Sequence, residues 1–112
     1  MADSIRLMLV EDHAVVRQGL AALLGAEDGL EVVGAVGDGV AAIELYNRVK
    51  PDVVLMDLQM PKMGGVETIK KIRVGHPAAR VIVLTTFDGD EDIYRALQAG
   101  ARAYLLKGMP VE

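Results

Sequence analysis

Short apolar runs alternate with helix-period stretches along the whole chain, and several of the runs stop on an acid or a hydroxyl. Ile5 to Val10 is almost continuously apolar, as in a strand buried on both faces, and it ends at Glu11-Asp12. Val16, Leu20, Leu23 and Leu24 then recur at helical spacing, closed by Gly25 and the polar Glu27-Asp28-Gly29. Glu31 to Val36 reads as a second strand. Asp38 is placed to cap a second helix with Ala42, Leu45, Tyr46 and Val49 on one face, ended by Pro51-Asp52. Val53 to Asp57 is the third strand, β-branched at its start and acidic at its end. A Gly/Pro loop over 58–65 leads to a helix with Val66, Ile69 and Ile72 facing inward. Arg80 to Thr85 is a fourth strand, an acidic loop opens a fourth helix carrying Ile93, Ala96, Leu97 and Gly100, and Ala103 to Leu106 is a short fifth strand.

Strictly alternating strands and helices imply right-handed crossovers and a parallel sheet covered by helices on both faces. The fold class predicted is therefore α/β, a doubly wound five-stranded parallel sheet whose ligand sits beyond the C-terminal ends of the strands. A length of 112 residues holds one domain, and 52% hydrophobic residues suffice for a core that only three Tyr and one Phe can make aromatic. The absence of cysteine excludes a disulfide scaffold and a thiolate metal site. A net charge of −4 argues against a grip on nucleic acid or an anionic membrane by this segment itself. No apolar run reaches the roughly 18 residues of a membrane span, and the N-terminus has no signal-peptide core. The expectation is a soluble, cytoplasmic domain with no membrane partner.

The chemistry-bearing residues collect where the fold puts a ligand. Glu11 and Asp12 follow the first strand, Asp57 closes the third, Thr85-Thr86 the fourth, and Lys107 the fifth. Carboxylates at the close of an apolar strand are costly unless compensated. A hard divalent cation such as Mg²⁺, which takes oxygen ligands and keeps waters for an incoming phosphate, compensates them. Lys107 adds a point positive charge beside Asp57. The plainer alternative makes each acid a solvated strand end or a helix cap, but it leaves their gathering at one sheet edge to chance.

Val10-Glu11-Asp12-His13, Leu55-Met56-Asp57-Leu58-Gln59-Met60-Pro61 with Gly64-Gly65, Val83-Leu84-Thr85-Thr86-Phe87, and Gly100 to Lys107 resemble the receiver domain of bacterial response regulators. The resemblance runs from about residue 4 to 108, and the wording around the motifs is similar to the NarL/FixJ subgroup. It implies a flavodoxin/CheY-like sheet in the order 2-1-3-4-5, with residues 1–112 forming the receiver. It also implies a phosphoryl group accepted by Asp57 from a sensor histidine kinase. Asp12, Asp57 and the backbone carbonyl of Gln59 would hold Mg²⁺, with Glu11 close by. Lys107 would pair with the acid or phosphate, Thr85 would hydrogen-bond the phosphoryl oxygen, and Tyr104 would swing inward as Thr85 moves. The chain would be no enzyme in the ordinary sense, only self-phosphorylating with Mg²⁺ and slowly dephosphorylating. Its expected output is transcriptional, through a helix-turn-helix DNA-binding domain downstream. The alternative is a stand-alone receiver or phosphate shuttle without DNA output.

Other readings of the same residues compete. Gly37-Asp38-Gly39-Val40-Ala41-Ala42 matches G-x-G-x-x-A, with Asp57 twenty positions on, as a dinucleotide fingerprint would. It follows the second strand rather than the first, and it leaves Glu11, Asp12 and Lys107 unexplained. An aspartate-nucleophile phosphatase needs a second acid where Gln59 stands. His13 is expected to be an exposed residue of the first helical turn, since hard Mg²⁺ prefers oxygen, and His76 a solvent-facing loop residue. Met56, Met60 and Met63 read as adaptable packing, and Asp88, Asp90, Glu91 and Asp92 as a solvated acidic run at a helix N-terminus. The family pattern continues with a fifth helix, whereas Lys107 is followed here only by Gly108 to Glu112. A truncated chain, or cover for the sheet from a neighbour as a homodimer or swapped oligomer, is the expectation.

Overall fold

In the computed structural model, which describes residues 4–58, 60, 63–85 and 90–106, nine elements follow one another as the alternation predicts. They are β1 (Ile5–Val10), α1 (Ala14–Gly25), β2 (Leu30–Val36), α2 (Gly39–Val49), β3 (Val53–Asp57), α3 (Gly65–Gly75), β4 (Val81–Thr85), α4 (Asp90–Ala99) and β5 (Ala103–Leu106). The five strands form one parallel sheet in the order β2-β1-β3-β4-β5. The order reverses beside β1, so a crevice opens above the ends of β1 and β3.

Side-chain alternation along each strand divides the core in two. Met8, Val10, Val54, Met56, Val81 and Val83 point to the face covered by α2, α3 and α4, where Ala42, Leu45, Tyr46, Ile69, Ile72 and Ala96 meet them. Leu7, Leu9, Leu55 and Leu84 point the other way, toward Leu20, Ala21 and Leu24 of α1. The first face is thoroughly buried: Met8, Val10, Val54, Met56, Ile69, Val81 and Val83 are all fully enclosed. On the second, α1 contributes no buried residue, and a wholly apolar groove of about 260 Å³ runs along Leu7, Leu24, Leu30, Val53 and Leu55. The stripe predicted for the first helix is thus only half used. Leu20 and Leu24 pack on the sheet, whereas Leu23 is 70% exposed, because α1 touches the sheet with one edge of that stripe.

Local chemistry sets the element ends. The Asp38 carboxylate caps α2 by accepting the Ala41 N–H at 2.8 Å, as its position predicts. Lys50 ends the same helix in the left-handed region (φ 44°), and Pro51 follows. β2 carries a register shift opposite Leu7 and Met8, and a Cβ on Gly34 would come within 2.6 Å of Leu45 Cδ2. Gly34 therefore lets α2 lie close on the sheet. The expected solvent-facing His76 is instead the C-cap of α3 and half-buried: its Nε2 lies 2.8 Å from Asn47 Oδ1, and its ring rests 4.7 Å from that of Tyr46. Burial raises the Tyr46 phenol above its ordinary value.

Candidate functional site

The ends of β1 and β3 lie side by side, with Val10 paired to Met56, so the residues just beyond them converge. The strand ladder carries on past β1, where the Glu11 N–H donates to Val36 O at 3.0 Å, and past β3, where the Leu58 N–H donates to Leu84 O at 3.3 Å. Glu11 is 0% exposed and Asp57 2%, two carboxylates nearly withdrawn from water. Asp12 lies above them at partial exposure. One donor atom from each of Glu11, Asp12, His13 and Asp57 falls within 4.8 Å of the others. The expectation that the three acids gather at one edge is met. His13 is the addition, exposed as expected but at the helix N-cap, with its ring turned back onto the acids.

Two buried anions so close repel one another, and each costs several kcal/mol to desolvate, so the group calls for positive charge. Part of the answer is local: Glu11 Oε2 accepts the His13 backbone N–H at 3.2 Å. One atom is left over. Asp12 Oδ1 is buried with no hydrogen-bond partner among the described residues. The three carboxylates of this cluster, one with a buried orphan oxygen, suit a hard divalent cation. The residues therefore fit Mg²⁺.

The surroundings hold this geometry with groups to which nothing in the sequence drew attention. Arg17, on the second turn of α1, donates from Nη1 to the Glu11 carbonyl oxygen at 2.8 Å. A Cβ on Gly37 would stand 2.7 Å from the same Nη1, so that glycine leaves room for the guanidinium. Thr68 is fully buried on α3 and donates its hydroxyl to Gly64 O at 2.8 Å, fixing the start of the helix that follows Asp57. A Cβ on Gly39 would collide with that Thr68 hydroxyl. Two of the glycines in the dinucleotide-like run are thus explained by close packing against Arg17 and Thr68. Gly65 is packed directly against the site's backbone: a Cβ there would lie 2.8 Å from Leu58 Cα and 3.0 Å from Asp57 O.

Of the remaining expected site residues, Thr85 closes β4 opposite Leu106, and Tyr104 pairs with Val83 on β5 and is 45% exposed. Gln59, Thr86, Lys107 and the segment after it lie outside the described residues. No helix among the described residues is long and apolar enough to cross a membrane.

Residues 7–112 match the family described as the response regulator receiver domain. The transcriptional regulatory protein LiaR of Bacillus subtilis is 45% identical over 103 residues, covering 92% of this chain and 49% of LiaR. The nitrate/nitrite response regulator NarP of Escherichia coli is 42% identical over 106 residues, 95% of this chain and 49% of NarP. Among solved structures, the signal receiver domain of NarL from Mycobacterium tuberculosis superposes with a TM-score of 0.91 at 34% identity, over 97% of this chain and 88% of that one. The chain spans about half the length of the curated relatives it matches.

Proposed function

The chain belongs to the receiver-domain family of two-component response regulators, and on that premise we propose that Asp57 is its phosphoacceptor, with a sensor histidine kinase as donor. The observation that carries this reading is the placement of Asp57, 2% exposed at the end of β3, in one cluster with Glu11 and Asp12. Mg²⁺, held by Glu11, Asp12, Asp57 and the Gln59 carbonyl, would neutralise charge spread over the oxygens of the transferring phosphoryl group. The Asp57 carboxylate oxygen attacks phosphorus, and the bond from phosphorus to the kinase imidazole nitrogen breaks, that nitrogen keeping the electron pair. Burial keeps Asp57 away from competing water, and the β3 ladder together with Gly65 and Thr68 holds its backbone still, so catalysis is mainly positioning. Lys107 is assigned to pair with the acid or phosphate, and Thr85 to receive the phosphoryl oxygen.

The product carries about −1.5 to −2 charges and three strong acceptors, so it biases existing conformations rather than starting new chemistry. Tyr104, half-exposed on β5, is the side chain proposed to turn inward with Thr85. For the whole protein, the proposal is a cytoplasmic regulator with a helix-turn-helix domain after this segment, its transcriptional output supported by relatives named as transcriptional regulatory proteins; a stand-alone phosphate shuttle is the alternative. The apolar groove beside α1 supports self-association, and a strict monomer by light scattering refutes it. The decisive experiment is labelling by acetyl phosphate with Mg²⁺, followed by mass spectrometry. The wild type is expected to gain one phosphoryl group and Asp57→Asn none, and label persisting on Asp57→Asn overturns the assignment.

A further inference from the structure

Three of the four donors gathered at the sheet edge are carboxylates suited to a hard ion, but the fourth is an imidazole nitrogen, for which Mg²⁺ has little use. We propose that His13 is itself a ligand of this site, through Nδ1, and that the site therefore holds late first-row divalent ions such as Ni²⁺ and Zn²⁺ more tightly than Mg²⁺. This rests on the reading of Glu11, Asp12 and Asp57 as a cation site.

The ring is not spent on the helix it begins. His13 is the N-cap of α1, with extended backbone (φ −79°, ψ 113°), yet its side chain makes no capping hydrogen bond. It turns the other way, so that Nδ1 lies 3.2 Å from Glu11 Oε2 and 3.2 Å from Asp12 Oδ1. Adjacent ligands around an ion with bonds of about 2.1–2.2 Å are roughly 3 Å apart, so these spacings are those of neighbouring coordination positions. The approach to Asp12 does not have hydrogen-bond geometry, since Oδ1 is left without such a partner. One ion between these atoms engages all three.

The tautomer needed is available. The ring is 70% exposed, so Nε2 can carry the proton into water while the Nδ1 lone pair faces the acids. A neutral imidazole among carboxylates favours ions in the order Mn²⁺ < Co²⁺ < Ni²⁺, with Zn²⁺ also well suited. In the competing arrangement Nδ1–H merely donates to Glu11 Oε2, and His13 is then a latch on an all-oxygen site.

The two arrangements differ in what the bound metal senses. Pulsed EPR on the chain loaded with Mn²⁺ is expected to show nitrogen-14 modulation from a directly bound imidazole. That signal is expected to vanish in His13→Ala and to survive in His76→Ala, which removes the only other histidine. Calorimetry with Ni²⁺ and with Mg²⁺ gives the second readout. His13→Ala is expected to weaken Ni²⁺ by about tenfold or more while leaving Mg²⁺ within about twofold. Bound Mn²⁺ without nitrogen modulation, or an unchanged Ni²⁺ to Mg²⁺ ratio in His13→Ala, overturns the proposal and leaves the cation site intact. If neither Mg²⁺ nor Mn²⁺ binds, or if Asp12→Asn binds both as the wild type does, the cation site and the proposal fall together.

Discussion

Gly64 and Gly65 are neighbours in sequence, yet a methyl group added to each should have opposite consequences. At Gly65 the new Cβ meets Leu58 Cα at 2.8 Å, Leu58 Cδ2 at 2.9 Å and Asp57 O at 3.0 Å. Carbon atoms prefer roughly 3.5–4.0 Å, and two of these three neighbours are backbone that cannot rotate away. Either α3 or the Asp57–Leu58 segment must retreat by about 0.5 Å. Overpacking of this kind costs about 1–3 kcal/mol, and alanine returns up to about 1 kcal/mol of helix propensity at this first helical position. The net loss, about 1–2 kcal/mol, lowers Tm by roughly 4–8 °C in a domain of this size.

The same displacement reaches the phosphoacceptor. If a misplacement of 1 Å costs about a hundredfold in a positioned reaction, half of that costs about tenfold in the initial rate of acetyl phosphate labelling. Gly64 has open space around it and an ordinary φ of −67°, so Gly64→Ala should change Tm by about 2–3 °C at most and leave labelling unaltered. Thermal unfolding by circular dichroism and the labelling time course check both variants. A Gly65→Ala chain with wild-type Tm and rate, or a Gly64→Ala chain damaged as badly, would refute the reasoning.

Ile69 is fully buried between α3 and the sheet, so Ile69→Ala should cost about 2–5 kcal/mol in urea unfolding; on the same helix Val74, 84% exposed, should cost less than about 0.5 kcal/mol as Val74→Ala. Tyr46 carries a raised phenol, so above pH 10 the unfolded chain releases a proton that the folded chain retains, and stability should fall as pH rises from there. Tyr46→Phe should flatten that alkaline slope in urea midpoints measured at successive pH values, and an undiminished slope counts against burial as its cause.

The fold was written in the sequence because a parallel sheet leaves a strong local mark. Strands buried on both faces must be apolar at consecutive positions, helices must be apolar at every third or fourth, and no other class alternates the two so regularly. The caps are similarly local: Asp38 reaches only as far as the Ala41 N–H. The carboxylate cluster was legible for a related reason, since Glu11, Asp12 and Asp57 stand at strand ends and a parallel sheet brings those ends to one edge.

Tertiary structure decided what depends on distances between segments far apart in the chain, or on which way a ring turns. The spacing of Val16, Leu20, Leu23 and Leu24 shows a stripe, but only the placement of α1 shows that Leu23 is left in water. Arg17 gives no signal in sequence that it will hold the Glu11 carbonyl, because that bond depends on how α1 crosses the end of β1. Gly65 and Gly39 look like loop glycines until the atoms a Cβ would strike, Leu58 Cα and the Thr68 hydroxyl, are placed. His76 reads as a loop residue until Asn47 and Tyr46 come across from α2. His13 could be read as a histidine after two acids. That its Nδ1 lies 3.2 Å from both follows from an N-cap conformation that sends the ring back over the strand end, a torsional choice no residue pattern records.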